Sequence, residues 1–161
     1  MKARIKQTLL AILLLVFPAT LGCGGDSSTA GAKIEPTWIG AQVEGDAISI
    51  PLSEVDSGKM VHFTVTNGGT DMTFMAYALG GQVYVRAATC PPCRAESFSL
   101  AGGALDCDSC HTRFKADTGE GISGACKGYP KAEAAYTIDA GKMTMDLKDL
   151  VRSYEDTLRA G

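Results

Sequence analysis

Long apolar runs are scarce in this sequence. The longest, Leu9 to Phe17, falls well short of the roughly 20 residues of a membrane-spanning helix, and no other segment approaches that length. The mature chain is therefore expected to be soluble apart from any lipid anchor. An excess of one charge is missing too: 15 Lys and Arg against 18 Asp and Glu leave a net charge of -3. That balance gives no general attraction to nucleic acid or anionic lipid. There are only two histidines, His62 and His111, and no Ser/His/Asp array, phosphate loop or paired-carboxylate constellation is discernible. Hydrolase and transferase chemistry thus lack support, and an enzyme is not expected. Helical periodicity is rare and no repeat is present, whereas 19 glycines lean the chain toward strands and turns. Its 161 residues suit one domain behind a leader.

The leader has the layout of an export signal. Lys2, Arg4 and Lys6 precede the apolar run, and Thr20-Leu21-Gly22 leads up to Cys23. Cys23 resembles the lipid-modified cysteine of bacterial lipoproteins, although Leu21 sits one position nearer to it than usual; ordinary cleavage near Gly22 would leave Cys23 incidental. The expected organisation is a lipoprotein-type signal peptide over 1–22, a Gly/Ser-rich linker over 23–36 and a folded domain over 37–161. The expected location is the periplasmic or cell-surface side of a bacterial membrane, tethered through Cys23.

Within the domain, alternation predicts short strands. Ala47 to Leu52 is one, with Pro51 near its end. Lys59 to Val65 puts Val61, Phe63 and Val65 on one face and Met60, His62 and Thr64 on the other. Met72 to Leu79 and Gln82 to Ala88 form a hairpin about Gly80-Gly81, and a second hairpin joins Phe98 and Leu100 to Leu105 across Gly102-Gly103. Beyond Phe114 turn residues dominate up to Cys126. Ala135 to Asp139 and Lys142 to Asp146 make a last hairpin, and Leu147, Leu150, Val151, Tyr154 and Leu158 recur at helical spacing behind Asp146 as N-cap.

Five of the six cysteines lie between Cys90 and Cys126. Four form two C-x-x-C pairs, Cys90/Cys93 and Cys107/Cys110, with the thirteen residues 94–106 between them. Two such knuckles face to face supply four sulfurs in tetrahedral array. Disulfides are one reading in an oxidising compartment, but a crosswise framework leaves Cys126 odd. Structural Zn2+ is a second, compatible with a zinc-ribbon role without redox chemistry. An iron–sulfur cluster with four thiolates, of the 2Fe-2S type, is a third. A fourth is haem c, because Cys107-Asp108-Ser109-Cys110-His111 is literally C-x-x-C-H, though this leaves Cys90 and Cys93 without purpose. His111 is a candidate hydrogen-bond donor to a ligand sulfur or an alternative ligand, and Cys126 is unassigned, another possible ligand with a buried apolar role as its default. For His62 a solvated or structurally bonded role is expected. Arg94, Arg113 and Lys115, close in sequence to the ligands, could offset thiolate charge or merely be solvated.

From about Gly58 to Leu150 the chain resembles the membrane iron–sulfur containing FtrD-like family. The resemblance rests on Cys90-Pro91-Pro92-Cys93, Cys107-Asp108-Ser109-Cys110 with Phe114, Gly124-Ala125-Cys126 with Tyr129-Pro130, and the Ala140-Gly141 turn. It implies a carrier of electrons that faces the periplasm and serves membrane redox or metal-transport proteins in iron uptake. Two departures stand out: the family commonly has glycine at the position of His111, and many members carry transmembrane helices. The second half also looks like a Rieske domain, with cysteines where Rieske sites place histidines. Together these readings lead to a mainly β, small antiparallel domain of Rieske-like or rubredoxin-like character, with two knuckles and a C-terminal amphipathic helix.

Overall fold

The computed structural model describes residues 32–56 and 58–161. The signal-peptide reading and lipidation at Cys23 lie outside those residues. In chain order, β1 (Thr37–Trp38), β2 (Gln42–Glu44) and β3 (Ala47–Pro51) lead through a 3-10 turn, Leu52–Val55, into β4 (Met60–Asn67), β5 (Thr70–Leu79) and β6 (Gln82–Ala87). The cysteine region holds β7 (Phe98–Ala101), β8 (Ala104–Cys107), β9 (Arg113–Lys115) and β10 (Gly121–Ser123). β11 (Thr137–Asp139), β12 (Lys142–Asp146) and α1 (Leu147–Thr157) close the chain.

These strands make three four-stranded sheets, ordered β1-β4-β5-β6, β10-β9-β8-β7 and β11-β12-β3-β2. All pairings are antiparallel except β1 with β4. The central hairpins are covered on both faces, which is why their two-residue alternation reads as almost continuous burial. Val61, Phe63 and Phe74 point into one core, where Ile48, Met143 and Leu150 meet them from β3, β12 and α1. Met60, Met75 and Tyr77 point the other way, into a second core shared with Phe98, Leu105 and Phe114 of the cysteine region. The cysteine sheet therefore lies on a face of the central sheet rather than at its edge.

The predicted strands and closing helix are present. Asp146 caps α1, its carboxylate accepting the Lys148 N–H at 3.0 Å. Two features differ from the sequence reading. Ile34, assigned to the linker, exchanges two backbone hydrogen bonds with Leu100 at 2.8 and 3.0 Å, so ordered pairing starts ahead of residue 37. The turn-rich stretch after Phe114 also contains β10, and Phe114 itself lies in β9; these three-residue strands are too short to show alternation.

Candidate metal centre

The two C-x-x-C segments fold into the same knuckle. In the first, Cys90 N–H donates to the Ala95 carbonyl at 2.8 Å and the Arg94 N–H returns to the Cys90 carbonyl at 2.7 Å. In the second, Cys107 N–H donates to Thr112 at 3.0 Å and the His111 N–H returns to Cys107 at 2.9 Å. Closing either turn needs a left-handed residue at the fifth position, and Arg94 (φ 58°) and His111 (φ 55°) supply it. The β7–β8 hairpin sets the knuckles side by side, with Phe98 opposite Cys107 in register.

The four sulfurs of Cys90, Cys93, Cys107 and Cys110 converge, all within 4.8 Å of one another. Cys93 Sγ and Cys107 Sγ are 3.8 Å apart. All four are free thiols, so among the described residues the cysteines form no disulfide. The first cysteine of each knuckle is fully buried and the second is partly exposed. The fifth thiol is not incidental. Cys126 is buried beside them, its Sγ 3.7 Å from that of Cys110.

Thr112 connects the second knuckle to Cys126. Its hydroxyl accepts the Cys126 N–H at 3.1 Å and lies 3.2 Å from Cys110 Sγ, free to donate its proton to a thiolate there. Gly124 makes the approach possible: it sits at φ 105°, and a Cβ on it would come within 2.6 Å of Thr112 Oγ1. Burial works against the Cys110 thiolate, but hydrogen bonds with Thr112, Cys107 and Cys93 outweigh it and bring the thiol down to about 6. Burial pushes Cys107 up to about 11 and raises Cys90 and Cys126 as well. Cys90 and Cys107 thus hold their protons until a metal ion displaces them, whereas Cys110 gives up its proton more readily.

Two buried cations, Arg86 and Lys131, were not singled out by sequence inspection, and Lys131 lies close to the sulfurs. Arg86 is matched on every side: its Nε donates to the Tyr77 hydroxyl at 3.0 Å, and its guanidinium nitrogens to the carbonyls of Lys131, Asp117 and Thr118 and to the Glu133 carboxylate. It pins the segment after β9 to the central sheet. Lys131 is fully buried, with Nζ donating to the Thr89 carbonyl at 2.5 Å. Nothing local marks either residue, because their acceptors are supplied from distant parts of the chain.

The other candidates lie apart from the sulfurs or outside the described residues. His111 projects outward, its side chain 78% exposed and Nδ1 3.4 Å from Asp106 Oδ1. Cys107 and Cys110 turn their sulfurs toward Cys90 and Cys93, which favours one shared site over a separate C-x-x-C-H site. Arg94, Arg113 and Lys115 are exposed. His62 corrects the expectation of solvation or bonding: it is buried, neither ring nitrogen has a partner among the described residues, and it stacks on Trp38 with ring centroids 5.1 Å apart. No helix among the described residues is long and apolar enough to cross a membrane.

The fold is similar to that of a solved protein chain. A chain in the complex of reduced oxygenase and oxidised ferredoxin of carbazole 1,9a-dioxygenase matches with TM-score 0.53 at 20% identity, covering 65% of this chain and 95% of that one. The Sphingomonas yanoikuyae B1 ferredoxin matches with TM-score 0.49 at 21% identity, over 60% and 92% of the two chains. The ferredoxin of carbazole 1,9a-dioxygenase from Nocardioides aromaticivorans IC177 gives 0.47 at 20%, over 60% and 92%. At 20% identity the first of these likenesses is one of fold alone. No functionally curated protein matches the sequence. A family model matches residues 55–155, the stretch that holds all four converging cysteines and Cys126, and by that match the chain belongs to the FtrD-like membrane iron–sulfur containing proteins.

Proposed function

We propose that this protein is an exported electron carrier that binds an iron–sulfur cluster through Cys90, Cys93, Cys107 and Cys110. The observation that carries the reading is the convergence of those four sulfurs on a buried floor, in a chain of an iron–sulfur family. A cluster of the 2Fe-2S type supplies one-electron chemistry with little change in ligand geometry. The protein's part is to hold the thiolates, to exclude water from Cys90 and Cys107, and to leave Cys93 and Cys110 near the surface, where a partner can approach. All-thiolate ligation favours a low potential, so the carrier would act as a reductant. Its partners would be membrane redox or metal-transport proteins, including those of iron uptake. A lipid on Cys23 would hold the domain at the membrane surface on the periplasmic or outer side; the family's membrane description and the export-type leader support this.

One observation favours a second reading. Metal–sulfur bonds of about 2.3 Å put tetrahedral sulfurs ~3.8 Å apart, the Cys93–Cys107 separation. Sulfurs this close suit a single ion, zinc or iron, as they stand; a two-iron cluster needs the knuckles to part slightly. Anaerobic purification followed by a visible spectrum and iron, zinc and acid-labile sulfide analysis separates the readings. Matching iron and sulfide with broad visible absorption is the expected result. A colourless protein with stoichiometric zinc would sink the electron-transfer reading, and a sharp Soret band would move the site to Cys107, Cys110 and His111.

A further inference from the structure

Arg86 and Lys131 are both withdrawn from water, but only Arg86 reaches a carboxylate, that of Glu133 at 3.0 Å. Lys131 makes no ion pair among the described residues. Its Nζ has the Thr89 carbonyl at 2.5 Å, and the faces of Phe114 and Phe98 with centroids at 4.7 and 5.5 Å. A buried ammonium without a counter-ion is unfavourable, and ring faces offset only part of that. The anions available to it are the thiols: Thr89 immediately precedes Cys90, and Phe98 and Phe114 pack in one cluster with Cys90, Cys107 and Cys126.

We propose that Lys131 is the fixed counter-charge of the four-thiolate centre, a buried ammonium that stabilises the loaded site and, within the electron-carrier reading on which this rests, favours its reduced form. Loading releases the remaining thiol protons to solvent and joins four thiolates to a divalent ion in a complex of net charge -2, and reduction adds a further negative charge. A cation held close to the sulfurs helps both steps. Burial lowers Lys131 and negative charge on Cys90, Cys107, Cys126 and Cys93 draws it upward, which leaves it at about 8. Arg94, Arg113 and Lys115 cannot take this role equally well: they are exposed, and salt screens them. The site's positive charge thus comes from a residue far from the ligands in sequence.

The test compares Lys131→Met, which removes both charge and hydrogen bond, with Lys131→Gln, which keeps an N–H donor for Thr89. Both should lower the reduced-to-oxidised ratio of the loaded centre at fixed potential about tenfold, or about 59 mV for one electron. A Gln variant with wild-type potential would show that the hydrogen bond matters rather than the charge, and would overturn the proposal. A second arm needs no iron: Co2+ binding to the metal-free protein, read by thiolate-to-metal absorption, should weaken about tenfold in both variants. Unchanged Co2+ affinity would overturn the proposal. If wild-type protein assembles no cluster, the carrier reading fails while the Co2+ arm still decides Lys131. If neither variant folds, wild-type protein decides. Its Co2+ affinity should change less than about twofold between roughly 0.05 and 1 M salt. A steep fall would put the counter-charge on the exposed cations and overturn the assignment to Lys131.

Discussion

Arg94 and His111 are structural counterparts: each is the fifth residue of its knuckle, each donates its N–H to the carbonyl of the first cysteine, and their φ angles differ by only a few degrees. The left-handed conformation costs a residue with a Cβ roughly 1–2 kcal/mol, which glycine avoids. His111 recovers little of this through Asp106, because its side chain is largely exposed. His111→Gly should therefore retain the metal site and change stability by no more than about 1 kcal/mol, in the favourable direction. Metal content together with urea unfolding checks this. Loss of the cofactor in the variant would restore His111 as a ligand.

Cys90 and Cys126 are both buried but should respond differently to serine. Cys90→Ser removes one of four converging sulfurs, and stoichiometric metal binding should be lost or fall by orders of magnitude. Cys126→Ser leaves the four intact, and binding stoichiometry should remain that of wild type. Titration with Co2+ measures both. A Cys126 variant that cannot bind would make it a ligand in place of Cys110, its neighbour at 3.7 Å.

Gly124 is the close approach on which Thr112 depends. In Gly124→Ala the new methyl meets the Thr112 side chain and backbone at 2.6 Å, and φ 105° is strained for alanine. The expected loss is about 2–4 kcal/mol of stability, with slower alkylation of the metal-free Cys110 thiol as it loses the Thr112 hydroxyl that favours its thiolate. Thermal unfolding and iodoacetamide labelling read the two effects. Gly80→Ala is the contrast: its Cβ meets nothing within 4 Å, so only its positive φ should count.

How much of this was legible without coordinates depended on whether the signal was local. The hairpin about Gly80-Gly81, the Asp146 cap and the convergence of two C-x-x-C pairs are encoded within a few residues of where they act, and all three are present. Lys131 and Arg86 were not legible. A buried cation is defined by what surrounds it, here carbonyls at 89, 117, 118 and 131 and rings at 98 and 114, which the linear order scatters. His62 misled for the same reason. Its place on a mixed strand face promised water or a hydrogen-bond partner, but β7, β8 and β9 of the cysteine sheet pack over that face.

His62 gives the fold an acid limit. Burial holds it down to about 4, against an ordinary 6.5, while the charge of Asp108 draws it upward. Between those values the unfolded chain binds more protons than the folded one, so stability is fully present above about pH 6.5 and falls as pH drops through 4, by about 3 kcal/mol in all. His62→Phe keeps a ring against Trp38 and removes two unpartnered nitrogens. It should match or exceed wild-type stability at pH 7 and lose less of it at pH 4.5. Urea unfolding at the two pH values tests this, and an equal acid loss in both proteins would remove His62 from the explanation.

The unequal exposure of the sulfurs makes the molecule directional. Cys90 and Cys107 are sealed against the central sheet, and only the edge with Cys93 and Cys110 comes near solvent. Under the proposed role, donor and acceptor must then use the same conducting pole. They cannot both dock at once, so the domain works as a shuttle that turns from one partner to the other rather than as a wire between them. Throughput would depend on how quickly it lets go of the first.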